Sequence, residues 1–127
     1  MKKSNDNEYL FTLLDKLAEY DREELRTRFS NENIVSICTL ARYLLDEIVK
    51  PEALTPSGFI DLVYKLRKYK KEGSRKLGDS LILADSMIKE NNLGGAIAVL
   101  DNFIDACPSP FYRDIAEVQK NKYQEKV

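Results

Sequence analysis

The chain has 127 residues, 43% hydrophobic and 32% charged, with a net charge of −1 and an isoelectric point near 5.6. That is the length of one domain with one ordinary core, too apolar for a disordered chain, and no apolar run approaches the ~20 residues that cross a bilayer. It contains no histidine, which excludes Ser-His-Asp and Cys-His catalysis and every imidazole metal ligand.

The N-terminus, MKKSNDNEYLF, lacks the apolar segment and small-residue cleavage site of a secretory signal, so a cytoplasmic protein is expected. Leu10, Leu13, Leu14, Leu17 and Ala18 follow the i, i+3, i+4, i+7 spacing of one helical stripe, with Asn5 or Asn7 available as its cap. Asp21 followed by Glu24 resembles a capping box and predicts a short second helix carrying Leu25 and Phe29. Ser30 caps a third, whose wide stripe runs Ile34, Ile37, Cys38, Ala41, Leu44, Leu45 and Ile48 until Pro51 ends it.

Thr55-Pro56 reads as a cap with a first-turn proline, opening a fourth helix that buries Phe59, Leu62, Val63 and Leu66 and closes at Gly73. A fifth is predicted from about Leu77 to Glu90 through Leu81, Leu83, Ala84, Met87 and Ile88. Asn91-Asn92 and the Gly94-Gly95 turn lead into a sixth with Leu93, Ala96, Ile97, Leu100, Phe103 and Ile104. Pro108 stops it, and Ser109-Pro110 opens a last helix with Phe111, Ile115 and Val118 inward and a polar tail after Lys120 that frays.

The expected architecture is therefore all-α: a single domain over residues 1–127, a compact bundle of six or seven antiparallel helices with a repeat-like hairpin in its C-terminal half. Cys38 and Cys107 fall within apolar patterns and are expected as buried thiols rather than a disulfide. Tyr9, Tyr20, Tyr43, Tyr112 and Tyr123 are expected at the edges of the core.

The fifth and sixth helices resemble a tetratricopeptide repeat over about residues 77–108. With Pro108 on the repeat's closing proline, Ala96 and Leu100 fall on the small and large apolar positions of its second helix, and Leu83 and Ala84 on those of its first. Ser80, Met87 and Phe103 stand where the family favours Trp, Tyr and a small residue. The resemblance implies a helical hairpin of the kind that grips peptides or helices.

Chemistry-bearing motifs are few. Cys38 and Cys107 form no CxxC pair, and Gly94-Gly95 lacks the preceding strand and following Lys-Ser/Thr of a phosphate loop. No catalytic residue, metal ligand or cofactor is assigned, and the chain is not read as an enzyme.

Charge, however, is segregated. Between Asp6 and Glu24 seven acids (Asp6, Glu8, Asp15, Glu19, Asp21, Glu23, Glu24) face two bases (Lys16, Arg22). Between Lys65 and Lys76 seven bases (Lys65, Arg67, Lys68, Lys70, Lys71, Arg75, Lys76) face Glu72 alone. Size, helicity and this segregation are similar in type to helical bacterial immunity proteins of contact-dependent inhibition or bacteriocin systems. The resemblance implies an antitoxin that covers a cognate nuclease toxin, with Asp15, Glu19, Glu23 and Glu24 as partner contacts. A secondary basic contact would use Lys68, Lys70, Lys71 and Arg75. The alternatives are a tetratricopeptide-like adaptor or chaperone, and a nucleic-acid-binding regulator using Lys65 to Lys76, which the overall charge disfavours.

Overall fold

In the computed structural model, which describes residues 2–125 and the side chains from Glu8 onward, the chain is all-α with six helices and no strand among the described residues. They are α1 (Lys2–Leu17), α2 (Arg22–Thr27), α3 (Asn31–Leu45), α4 (Pro56–Lys89), α5 (Leu93–Ala106) and α6 (Pro110–Glu125), with a single 3-10 turn at Pro51–Ala53. Contacts within the chain divide it into two compact units, Met1–Lys70 and Lys71–Val127, and α4 contributes residues to each.

The first unit follows the apolar stripes closely. Leu10, Leu14 and Leu17 of α1, Leu25 of α2, Ile34, Ile37, Cys38, Ala41 and Leu44 of α3, and Phe59, Leu62, Val63 and Leu66 of α4 are all buried. Leu40 and Ile60, which lie off the predicted stripes, are each 1% exposed and widen the buried faces of α3 and α4. The centre of this core includes Phe59, whose ring meets Phe29 edge to face at 5.6 Å.

Caps set most of the boundaries. The Asp21 carboxylate accepts from the Glu24 amide at 2.8 Å, the Ser30 hydroxyl from Asn33 at 3.3 Å, and the Thr55 hydroxyl from Gly58 at 3.0 Å, as the sequence predicts. Two boundaries differ. Helix α1 already begins at Lys2, so Asn5 and Asn7 lie within it instead of at its start. Helix α3 ends at Leu45, well short of Pro51, because Asp46 turns left-handed at φ 55° and the Asp46 and Glu47 amides fold back onto the Arg42 and Ala41 carbonyls. Ile48, expected to extend the stripe, is thereby outside the helix and 75% exposed.

The largest departure is at Gly73. Instead of closing a helix it is buried within α4, which runs unbroken for 34 residues and merges the predicted fourth and fifth helices. A mid-helix glycine costs only about 1 kcal/mol relative to alanine and removes no hydrogen bond. The segment KKEGSRK offers no proline to raise that cost to a break.

In the second unit α4 ends in a Schellman motif: Asn91 is left-handed at φ 61°, with the Asn92 amide donating to Met87 O and the Asn91 amide to Ile88 O. Asn92 then caps α5 through its side-chain oxygen on the Gly95 amide at 2.9 Å. The turn is thus Asn91-Asn92, and Gly94 and Gly95 belong to the first turn of α5. Of these two it is Gly95 that is needed for space, since a Cβ there would lie 2.5 Å from the Asn92 side-chain nitrogen Nδ2 and 2.9 Å from Met87 Sδ. Gly78 has nothing within 4 Å of that position. Gly78→Ala should therefore stabilise the protein by about 0.5–1 kcal/mol, whereas Gly95→Ala, which dislodges a cap worth ~1 kcal/mol, should not; urea unfolding compares them.

Helix α5 packs on α6. The buried side chains include Leu77 and Ala84 of α4, Ala96, Leu100 and Phe103 of α5, Cys107 and Ser109 of the connection, and Tyr112, Ala116 and Tyr123 of α6. Ser109 caps α6 by accepting from the Tyr112 amide at 3.3 Å. The inward face of α6 differs from the one predicted: Ile115 and Val118 are 37% and 54% exposed, while Tyr112 and Tyr123 are 4% exposed. The tail after Lys120 is helical to Glu125 rather than frayed, and Lys120 itself reaches Asp101 of α5 at 2.7 Å. That hydrogen bond, reinforced by the surrounding carboxylates, holds the Lys120 ammonium above its usual pKa despite some opposing desolvation. Both cysteines are free and buried. Burial, with Glu52 adding to it, pushes the Cys38 thiol up and keeps it a poor nucleophile.

Candidate partner-binding surface

The acidic candidates gather where α1 turns into α2. The turn is fixed to α4 at two points: the Tyr64 hydroxyl donates to Tyr20 O at 2.7 Å, and Arg22 pairs with Asp61 at 3.0 Å. Arg28 closes over the Tyr20 ring, 4.6 Å from its centroid, and its guanidinium also bonds Glu24 at 3.0 Å.

Within this frame the four predicted acids have different surroundings. Asp15 faces α4, where its carboxylate meets Lys70 at 2.8 Å and Arg67 at 3.9 Å. The Lys70 ammonium also lies 5.3 Å from the Phe11 ring centroid. Glu24 is committed to Arg28 through a pair exposed enough to exchange partners. Glu19 and Glu23 are exposed and carry no ion pair among the described residues. Asp6, counted with the acidic segment, lies outside the described side chains.

The basic candidates all lie on α4. Lys65 pairs with Glu47 at 3.0 Å, and Arg67 and Lys70 pair with Asp15. Three of the seven positive charges are therefore engaged inside the first unit, by the two carboxylates of Glu47 and Asp15. Lys68, Lys71, Arg75 and Lys76 are exposed with no ion pair among the described residues. Of the predicted secondary contact, Lys68, Lys71 and Arg75 face solvent, and Lys70 is held by α1.

A third feature was not legible in the sequence. In the second unit, α4 and α5 enclose an open groove of about 430 Å³ lined by Lys76, Asp79, Ser80 and Leu83 from α4 and Val99, Asn102 and Phe103 from α5. The repeat-like positions Ala84, Ala96 and Leu100 are fully buried, but Leu83 is 48% exposed at the groove. Phe103, where a repeat has a small residue, lines the groove and is 9% exposed. Neighbouring Ile82, which no stripe singled out, is 69% exposed.

The class that fold and surface define is an all-α chain presenting charged and apolar faces on rigid helices. No family model matches it, and no curated protein or solved structure is significantly similar to it.

Proposed function

We propose that this chain is a non-catalytic protein-binding module of the immunity or antitoxin kind, neutralising a toxin by stoichiometric binding. The observation that supports this reading is the pair Glu19 and Glu23: two exposed carboxylates with no ion pair among the described residues, held where α1 turns into α2 and where Tyr64 and Arg22 fix the backbone to α4. Preorganised acids of this kind suit the basic cleft of a nuclease, where complementarity accelerates encounter more than it adds affinity. In this reading Glu19 and Glu23 meet the partner, while Asp15 serves the fold.

The test uses the partner recovered by affinity capture, with association followed by stopped flow. Glu19→Lys with Glu23→Lys should slow association about 10- to 100-fold at low salt, a loss that shrinks as salt rises. An unchanged rate, or the absence of any stoichiometric partner, sinks the proposal. A second reading, an adaptor holding an apolar peptide, draws on the groove between α4 and α5. It requires peptide binding that is lost on Leu83→Asp while Glu19 and Glu23 are indifferent.

A further inference from the structure

The middle of α4 carries a row of bases that internal ion pairs only partly neutralise. From Arg67 to Asp79 there are six bases against two acids, Glu72 and Asp79, so this stretch is sharply positive although the chain's net charge is −1. At 100° per residue, Arg67, Lys71, Arg75 and Lys68 fall within about 100° of arc and within about 12 Å along one unbroken helix. Lys68, Lys71 and Arg75 are exposed and have no ion pair among the described residues. Arg67 is held loosely, its Nε 3.9 Å from the Asp15 carboxylate, which meets Lys70 at 2.8 Å. Glu72 and Asp79 lie outside this arc, roughly 20–40° beyond Lys68 on the side of Lys76.

The side chains of this face select what it fits. None of the exposed large hydrophobic residues lies between Arg67 and Arg75, and the nearest along α4, Ile82, is about two turns farther on. A protein partner is gripped by aromatic or aliphatic anchors and a membrane surface by an apolar stripe, and the face offers neither. It offers no stacking platform for unpaired bases either: Tyr64 is half-buried with its hydroxyl donated to Tyr20 O, and Tyr69 lies on the opposite side of the helix. What remains is a row of ammonium and guanidinium donors on a preformed helix, which match phosphate oxygens and carry no means of reading bases.

We propose that this face of α4 binds the phosphate backbone of double-stranded nucleic acid without reading its sequence. Lys68, Lys71 and Arg75 make the contacts, and Asp15 withholds Arg67 from them. Neither Glu19 nor Glu23 takes part, so the contact stands apart from the toxin-binding reading. Three bases give a non-specific affinity, with a dissociation constant of roughly 10–100 µM in about 50 mM salt.

The test is fluorescence anisotropy of a labelled DNA duplex of about 20 base pairs titrated with the full chain. Binding should weaken roughly 40-fold between about 50 and about 200 mM salt, the logarithmic slope of about −2.7 that three phosphate contacts produce. Lys71→Glu and Arg75→Glu should each weaken it at least about fivefold. Lys76→Glu makes the same change of net charge about 100° or more around the helix from both, and should stay within about twofold of the parent. Asp15→Asn releases Arg67 and should tighten binding about threefold, with the slope steepening to about −3.6. Circular dichroism verifies that each variant keeps the parent helicity. A chain that leaves the duplex unbound, a flat salt response, a loss for Lys76→Glu equal to that for Lys71→Glu, or an Asp15→Asn variant no tighter than the parent would each overturn the proposal. So would a single strand of the same length, or polyglutamate, bound more tightly than the duplex.

Discussion

Replacing Phe59 by alanine should destabilise the protein by about 3–5 kcal/mol, the largest effect expected of any single substitution. Phe59 is completely buried in the first unit, contributed by the second turn of α4 and met edge to face by Phe29 of the α2–α3 connection. Truncation removes the transfer free energy of the ring and leaves a cavity in a core that also holds the fully buried Leu14, Leu25, Ile37 and Leu66. Phe29 is half-buried, and Phe29→Leu, which keeps an apolar side chain against the ring, should cost less than half as much. Equilibrium urea unfolding measures both; a loss below about 1 kcal/mol for Phe59→Ala would mean that the ring is not packed as described.

Tyr123→Ala is the second, with an expected loss of about 2–4 kcal/mol. The residue sits four from the end of the sequence, where a polar composition suggests fraying, yet its ring is 4% exposed in the second unit. Val118→Ala on the same helix removes a more conspicuous hydrophobe but should change stability by no more than about 0.5 kcal/mol, since Val118 is 54% exposed. The contrast between these two variants tests the rotation of α6 about its own axis, because the face predicted from periodicity reverses their order.

That reversal shows where sequence reading reaches its limit. Stripes of aliphatic residues on α1, α3, α5 and the first half of α4 were legible because each offers several consecutive matches to a 3.6-residue period. Helix α6 offers Phe111, Ile115 and Val118 on one face and Tyr112, Ala116 and Tyr123 on another. Alanine and tyrosine weigh little on a hydropathy scale, yet Ala116 permits close approach and the two tyrosines supply the buried area. Caps at Asp21, Ser30, Thr55 and Ser109 were legible because their hydrogen bonds span three residues. The end of α3 was not, since Asp46 stops it by adopting a conformation that glycine usually marks.

Likewise Gly73 looks like a terminator only if glycine is treated as a break instead of a modest cost. Within the acidic segment, composition could not tell Asp15 from Glu19: their difference lies in Lys70 and Arg67, more than fifty positions away. The groove depends on which faces of α4 and α5 meet, and no local signal reports that.

That distance between Asp15 and Lys70 also bears on the order of events in synthesis. The Asn91-Asn92 turn and the Cys107 to Ser109 connection bring their flanking helices together over a few residues, so the contacts of the second unit are local and close quickly. The first unit emerges earlier from the ribosome, but Leu14, Leu25 and Ile37 share their core with Phe59, Val63 and Leu66, and its ion pairs span up to 55 positions. Helices α1 and α3 pack on one another, but the core they share with Phe59, Val63 and Leu66 is complete only once α4 has been made. The half of the chain made first is thus the half whose core closes over the longer stretch of sequence.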